Sequence, residues 1–280
     1  MLLAITAAFA LVSTAEASIL ASFVRKGTLS APILNTLNDT NAEVITKGAG
    51  NVAAAFEVGD SVTLYLQFNE ITTSDGFFLN EDLDDASAGG PGYNLLGKGT
   101  FTITAIGDLA GVGSATNDDI SFTGSIKIYE SASSLSFGAG IAAADAVIAA
   151  ASEIAEIGIA PGSDDFITAV DAPTSFASIP SSPATAVQTD LGLSLLSGGA
   201  GLEIIDEALT SPYGTTHAIV GDSGAYRVSP VTLGDDVFDL VTDTTIGFQA
   251  GVPEPSTIVV WGTLASAVAA YGAHRRRRSA

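Results

Sequence analysis

The sequence predicts a mainly β protein: an antiparallel β-sandwich with one amphipathic helix, flanked by an N-terminal signal peptide and one C-terminal transmembrane helix. Three observations carry that expectation. Several central segments alternate apolar and polar residues with period two. Glycine, aspartate and asparagine punctuate the gaps between them. Two uncharged apolar runs stand at the ends of the 280-residue chain.

Leu2 to Val12 is apolar apart from Thr6, and a short polar stretch leads to Ala15-Glu16-Ala17, an A-x-A cleavage pattern. A run this short does not span a bilayer, so residues 1–17 read as a secretory signal peptide cut after Ala17, although the usual basic n-region does not precede it. Residues 18–250 then form one β-sandwich ectodomain. Ile19 to Val24 and Glu43 to Thr46 are its first candidate strands. In Ser61 to Phe68, Val62, Leu64, Leu66 and Phe68 share one face, and Thr63, Tyr65 and Gln67 the other. That is a half-buried strand. Phe101 to Ile106 is rich in β formers, and Asp119 to Glu130 turns Ile120, Phe122, Ile126 and Ile128 inward.

Ile141 to Ile157 breaks this rhythm. It is alanine-rich, gathers Asp145, Ser152, Glu153 and Glu156 on one helical face, and is stopped by Gly158 and Pro161. It reads as a single amphipathic helix packed over one sheet. Residues 172–188, with Pro173, Pro180, Pro183 and no charge, read as a long loop or linker. Leu202 to Ile205, His217 to Val220, Val237 to Val241 and Thr244 to Phe248 supply the closing strands.

The end of the chain, 252–280, has three parts. Val252-Pro253-Glu254-Pro255-Ser256-Thr257 precedes an uncharged apolar segment, 257–273, and then the cluster Arg275, Arg276, Arg277, Arg278. From Ile258 onward a helix would rise about 24 Å, a little short of the hydrocarbon core, so Ser256, Thr257 and some local thinning must help. Trp261 and Tyr271 lie near its two ends, as interfacial aromatics do, and the arginines put the tail in the cytoplasm by the positive-inside rule.

This tripartite end resembles the PEP-CTERM sorting signal of exported bacterial proteins. The resemblance implies recognition and removal of the tail by exosortase, a membrane-embedded cysteine protease, with Pro253, Glu254 and Pro255 as the recognition element. It also implies passage through the export machinery, a membrane anchor before processing, and a destination at the cell surface or in the exopolysaccharide matrix. Two prolines keep the segment extended, which lets a protease read its backbone. The signal is an address shared by very different ectodomains and implies no activity.

Composition removes whole classes of function. With 31 Asp and Glu against 10 Lys and Arg, a net charge of −21, the chain lacks the clustered cations that neutralise phosphates, so no nucleic-acid partner is expected. Without cysteine there is no disulfide, thiolate metal site or cysteine nucleophile. Charged residues make up 15% and hydrophobic ones 47%, which places the chain among core-forming globular proteins.

Few catalytic constellations survive inspection. Gly221-Asp222-Ser223-Gly224 has the look of a serine-protease nucleophile segment, yet His217 lies only six residues before Ser223 and a second glycine is missing, so a β-turn is expected. Gly48-Ala49-Gly50-Asn51-Val52-Ala53 fits a loose dinucleotide loop, but Gly59 and the strand after it leave only about two turns for the helix such loops open. The acidic clusters 80–85 and 235–243 offer oxygen ligands for calcium, with Asp82, Asp84, Asp235 and Asp236 as candidates. An EF-hand alignment from Asn80 fails, because Asp85 takes its glycine position and Pro91 its glutamate. Tyr65 and Tyr129 fall on or near outward strand positions, as surface tyrosines available to a saccharide.

The expectation is therefore a non-enzymatic exported protein of the cell surface or extracellular matrix, with no required cofactor. A secreted polysaccharide hydrolase using a carboxylate pair, and a calcium-dependent adhesion module, are its rivals. No catalytic residue is assigned.

Overall fold

The computed structural model describes residues 24–51, 56–76, 81–82, 94–106, 120–170, 187–199, 202–212, 214–227, 236–252 and 266. The signal-peptide residues Ala15 and Ala17, the sorting residues Pro253, Glu254 and Pro255, Arg275 to Arg278, and, apart from Ser266, the segment 257–273 lie outside them. Among the described residues no helix is long and apolar enough to cross a membrane.

The chain is mainly β. In order, the strands are β1 (Gly27–Thr28), β2 (Ile33–Thr46), β3 (Ser61–Thr73), β4 (Glu81–Asp82), β5 (Asn94–Ile106), β6 (Ile120–Ser131), β7 (Ser152–Gly158), β8 (Phe166–Val170), β9 (Val187–Gly198), β10 (Leu209–Thr210), β11 (Thr216–His217), β12 (Ile219–Arg227) and β13 (Leu240–Val252). Helix α1 (Ile141–Ala150) stands between β6 and β7. Eleven strands form one sheet, running β13-β12-β9-β7-β6-β5-β3-β2, and β13 pairs again with β2. Every ladder of that circuit is antiparallel. Eight consecutive strand positions thus close into an up-and-down ring. Closing a sheet in this way goes with strands tilted to the barrel axis, typically by about 35–45°.

As in the expected sandwich, opposite walls face each other across one apolar core. The sandwich expectation lacked the closing ladder, in which Ile33 lies opposite Ala250 and Glu43 opposite Leu240. Strands on both sides of the 172–188 segment belong to this one sheet. β7 and β8 share a single position in the ring. Gly158 faces Ser194 and Phe166 faces Gly192 on β9, so about six residues are looped out between them.

The inward residues follow the period-two pattern. Leu66, Phe68, Leu95, Ile103 and Leu193 are almost completely shielded from solvent. β5 puts Gly97 and Gly99 on its inner face, where a methyl group on Gly97 would stand 2.8 Å from Leu66 Cδ1. The missing side chains leave space that Leu66 and Ile126 fill. Among the described residues one internal void of about 60 Å³ is bordered by Leu64, Phe101, Phe122, Leu191 and Ile246, and a smaller one of about 30 Å³ by Leu37, Ile128 and Phe248. Ligand pockets start near 300 Å³, so the interior is a core and not a calyx.

Polar groups concentrate on the inner wall at β2, where Asn35, Asp39, Asn41 and Glu43 are buried. Several serve the closing seam. Asn41 Nδ2 donates to Thr244 Oγ1 (2.6 Å), the Thr244 N–H donates to Asp39 Oδ1 (2.7 Å), and the Ile45 N–H donates to Asp239 Oδ2 (2.8 Å). Burial pushes the Asp39 carboxyl well above the usual carboxylate range, and Asp243 and Glu43 push the same way against the Thr244 and Asn41 hydrogen bonds. At the β2–β3 hairpin, buried Asp60 accepts the Gly48 and Glu57 N–H groups (2.8 and 2.9 Å), Asn51 Nδ2 (2.7 Å) and Lys47 Nζ. Gly48 to Asn51 therefore form a turn tied to a carboxylate.

Two expectations about local structure are corrected. The helix ends at Ala150, and Ser152–Gly158 is strand β7. Alternation at Ala155 and Ile157, both buried, served the strand period as well as the helical one, and the open hydrogen bonds of β6 and β9 decided it. Gly221 to Gly224 lies inside β12, paired on both sides, so it is no turn.

Leu66→Ala is expected to destabilise the barrel by about 2–5 kcal/mol, and Gly97→Ala by about 1–3 kcal/mol through overpacking. In urea melts the double variant should be more stable than the sum of the two losses predicts, because the new methyl enters the space Leu66 vacates. Simple additivity would count against this packing.

Candidate functional site

The outer wall carries two covered regions. The first is built on α1. Ala144 and Ile148, one helical turn apart, pack with Ala42, Tyr65, Leu96, Leu135 and Phe238 into a second apolar cluster. Tyr65, expected to be a surface residue, is 2% exposed beneath this helix. Its hydroxyl donates to Asp145 Oδ1 (2.7 Å), which also takes Lys98 Nζ (2.6 Å). Asp236 accepts the Ala142 N–H at 2.8 Å, satisfying a donor of the first helical turn.

The second region lies where residues 202–217 fold back over β8, β9 and β12. Gly192 makes it fit: a Cβ there would stand 2.5 Å from His217 Cδ2, so only glycine lets the imidazole lie flat on the strand. His217 is 1% exposed. Its Nδ1 lies 3.0 Å from Asp165 Oδ1 and its Nε2 2.7 Å from Thr215 Oγ1, which is 2.8 Å from Ser211 Oγ. With Asp165 ionised, Nδ1 donates to it. Burial would raise the Asp165 pKa, but hydrogen bonds from the Ala160 N–H, Ser194, Ser163 and His217 hold it below the usual range.

Acid, imidazole and hydroxyl stand here in the order of a nucleophilic relay, yet the hydroxyls are committed to the turn. The Ser211 N–H donates to the Thr215 carbonyl at 2.8 Å, so Ser211 and Thr215 clasp the β10–β11 hairpin. Asp164, Asp165 and His217 also bring potential ligand atoms within 4.8 Å of one another. Asp165 Oδ2 already accepts the Ala160 N–H (2.9 Å) and Ser163 Oγ (2.7 Å). The group works as a pin that fastens the hairpin to the barrel.

Beside the pin, a crevice of about 370 Å³ separates the outer wall from the hairpin, with Leu34, Val220 and Pro212 as apolar lining and Asp190 and Asp222 as carboxylates. Asp190 and Asp222 are direct register partners on β9 and β12. Residues so paired have Cβ atoms about 4.5–5.5 Å apart, so the two aspartates are neighbours on the outer face of the sheet. Asp190 is buried and Asp222 exposed. Thr168, opposite Asp190 on β8, holds a buried Oγ1 without a hydrogen-bond partner.

The calcium candidates of the sequence are dispersed in role. Asp236 caps α1, Asp82 sits in β4 opposite Glu70, and Asp84 and Asp235 lie outside the described residues. Sequence reasoning missed the Asp165–His217 pair and the Asp190–Asp222 pair, since strand register joins residues that spacing does not relate. No protein-family model matches the chain, and no curated protein matches it significantly.

Because the Asp165 pKa is lower in the folded state, its stabilisation is complete above its unfolded value, near 3.9, and is lost as pH falls through the folded value. Asp165→Asn should therefore destabilise by about 1–3 kcal/mol at pH 7, and its deficit relative to the natural chain should shrink in denaturant melts below about pH 3.5. A deficit constant with pH would refute the assignment.

Proposed function

We propose that this chain is an exported, non-enzymatic protein of the cell surface or extracellular matrix, anchored by its C-terminal helix until an exosortase-like protease recognises Pro253-Glu254-Pro255 and removes the tail. The observation that carries this reading is the tripartite end, 252–280. The fold is compatible with it: β13 ends at Val252, immediately before Pro253, so the tail can be removed without touching a strand of the ring. β1 pairs in parallel with Gly251 and Val252 of that strand. Arg275 to Arg278 are four of the ten basic residues, so the exported part is more acidic than the whole chain. That charge favours solubility and cation contact outside the cell. The non-enzymatic reading draws support from the His217 relay, whose hydroxyls are used by the hairpin.

A second reading, hydrolysis of a polysaccharide, has one observation in its favour: the opposed Asp190 and Asp222 in the crevice under the hairpin. The tyrosine supply is no argument for it, since Tyr65 is covered by α1.

Removing residues 253–280 should abolish membrane fractionation and the shortened product that the full chain gives in cells containing an exosortase. Unchanged fractionation and mass would sink the sorting proposal. Against a panel of glycans the purified chain should show no turnover. Turnover that disappears in Asp190→Asn or Asp222→Asn would replace the first reading with the second.

A further inference from the structure

The ladder that closes the ring omits two pairs. Its register runs from Thr242 opposite Asn41 to Thr245 opposite Asn38, and the residues between, Asp39 and Thr40, have no backbone partners on β13. The Thr244 N–H, left over by the ladder, donates instead to a side chain, Asp39 Oδ1, at 2.7 Å. Asn41, the next inward residue of β2, holds the same threonine by its other end, donating from Nδ2 to Thr244 Oγ1 at 2.6 Å. Asp39 and Asn41 stand about 6.6 Å apart along one face of the strand. Their side chains converge on Thr244, close enough for the Asn41 amide to act on the Asp39 carboxyl.

Each of the two side chains keeps one buried oxygen to which no group among the described residues donates: Oδ2 of Asp39 and Oδ1 of Asn41. With Asp39 ionised both atoms are acceptors, so neither can satisfy the other, and buried acceptors without donors are costly. One proton on Asp39 removes both defects, because Oδ2–H becomes a donor and Asn41 Oδ1 its acceptor. The surroundings favour that state. Asp39 is 5% exposed, and the charged groups that bear on it are acids. Glu43 follows on the inner face of β2 and Asp243 stands next to Thr244 on β13. Glu70 of β3 borders the same outer cleft as Asp39, and Asp239 accepts the Ile45 N–H further along the seam. Phe68, the register partner of Asp39 on β3, is apolar. A carboxylate here would sit in a poorly solvated wall among like charges.

We propose that Asp39 is a carboxylic acid in the folded protein, its Oδ2–H donated to Asn41 Oδ1, and that this proton is the latch of the closing seam: its loss loosens β13 from β2. The missing ladder pairs are what let one proton act on closure, since at Thr244 the seam is held by the Asp39 side chain and not by backbone pairing. The latch stands on these side chains alone and is independent of the export reading, so either can fail without the other. Burial raises the Asp39 pKa above its unfolded value, so the folded chain keeps a proton that the unfolded chain releases near pH 3.9. Stability therefore falls as pH rises from there to the folded pKa, by a factor of about ten in the folding equilibrium per pH unit. Below about pH 4 both states hold the proton and the penalty vanishes. Asp165 has the opposite sign, its contribution being lost in acid.

The test is Asp39→Asn, which imitates the protonated acid: its carbonyl oxygen can accept the Thr244 N–H and its nitrogen can donate to Asn41 Oδ1. In urea melts of the purified full chain the variant should be more stable than the natural chain at pH 7, by about tenfold or more in the folding equilibrium. That advantage should shrink to nothing as pH falls to about 4. At one alkaline pH, the Thr244 N–H should exchange with deuterium more slowly in the variant than in the natural chain. A carbon-13 titration of the natural chain, with the Asp39 signal assigned by its absence from the variant, reads the proton directly and should place this carboxyl above the exposed aspartates. A variant that is unfolded or destabilised at pH 7, or a stability difference that does not change with pH, would overturn the proposal. So would an Asp39 carboxyl that titrates with the exposed aspartates, which would mean that the Asn41 amide is turned round and donates to an ionised Asp39.

Discussion

The antiparallel ladder between β13 and β2 is the contact on which everything else in this protein rests. Without it the sheet would have two long open edges, each a row of unpaired backbone groups ready to pair with another chain. With it the edges disappear, and a single set of inward side chains from all eight positions becomes one core. The requirement explains why this seam carries so much side-chain bonding to the backbone. Asp39, Asn41, Asp239 and Thr244 all reach across it, in a place where a purely apolar seam would have been held by the ladder alone. The same side chains introduce a fault, because Asp39 displaces two backbone pairs and keeps one oxygen unsatisfied.

Once the ring is closed, its outer surface is where the rest of the chain is added. Two additions use it. The α1 helix lies on one part of the wall and is tied down at its start by Asp236 and along its length by the Tyr65–Asp145–Lys98 contact. The 202–217 hairpin lies on another and is tied down by His217 and Asp165. Both ties centre on a carboxylate: Asp145 is exposed at the edge of α1, whereas Asp165 is shielded beneath the hairpin. The wall therefore offers covered clefts outside a filled interior, the reverse of a barrel that keeps its ligand in the middle.

How much of this could be read beforehand depended on whether a residue's partner is local. The strand at Ser61 to Phe68 and the inward set Phe122, Ile126 and Ile128 were legible, because alternation is a property of the segment itself. Asn94 to Gly99 was not, since after Leu95 its inward positions, Gly97 and Gly99, are glycines and alternation has nothing to mark. Ser152 to Gly158 misled because alanine and glutamate favour a helix when considered alone, and the deciding influence was the unpaired backbone of β6 and β9. Barrel closure was illegible for a stronger reason: it joins Ile33 to Ala250, and no pattern within either strand announces the other. The acidic stretches were recognised as acids, but only register reveals that Asp236 serves a helix end while Asp190 faces Asp222.

The short parallel pairing of Gly27 and Thr28 with Gly251 and Val252 brings the two ends of the barrel's chain to one pole. A short bridge across that pole would make the backbone of the ring cyclic, and a cut in any loop elsewhere would then restore a linear chain with the same ladders. The order in which the strands are synthesised is therefore separable from the order in which they stand around the axis, and the fold is open to circular permutation.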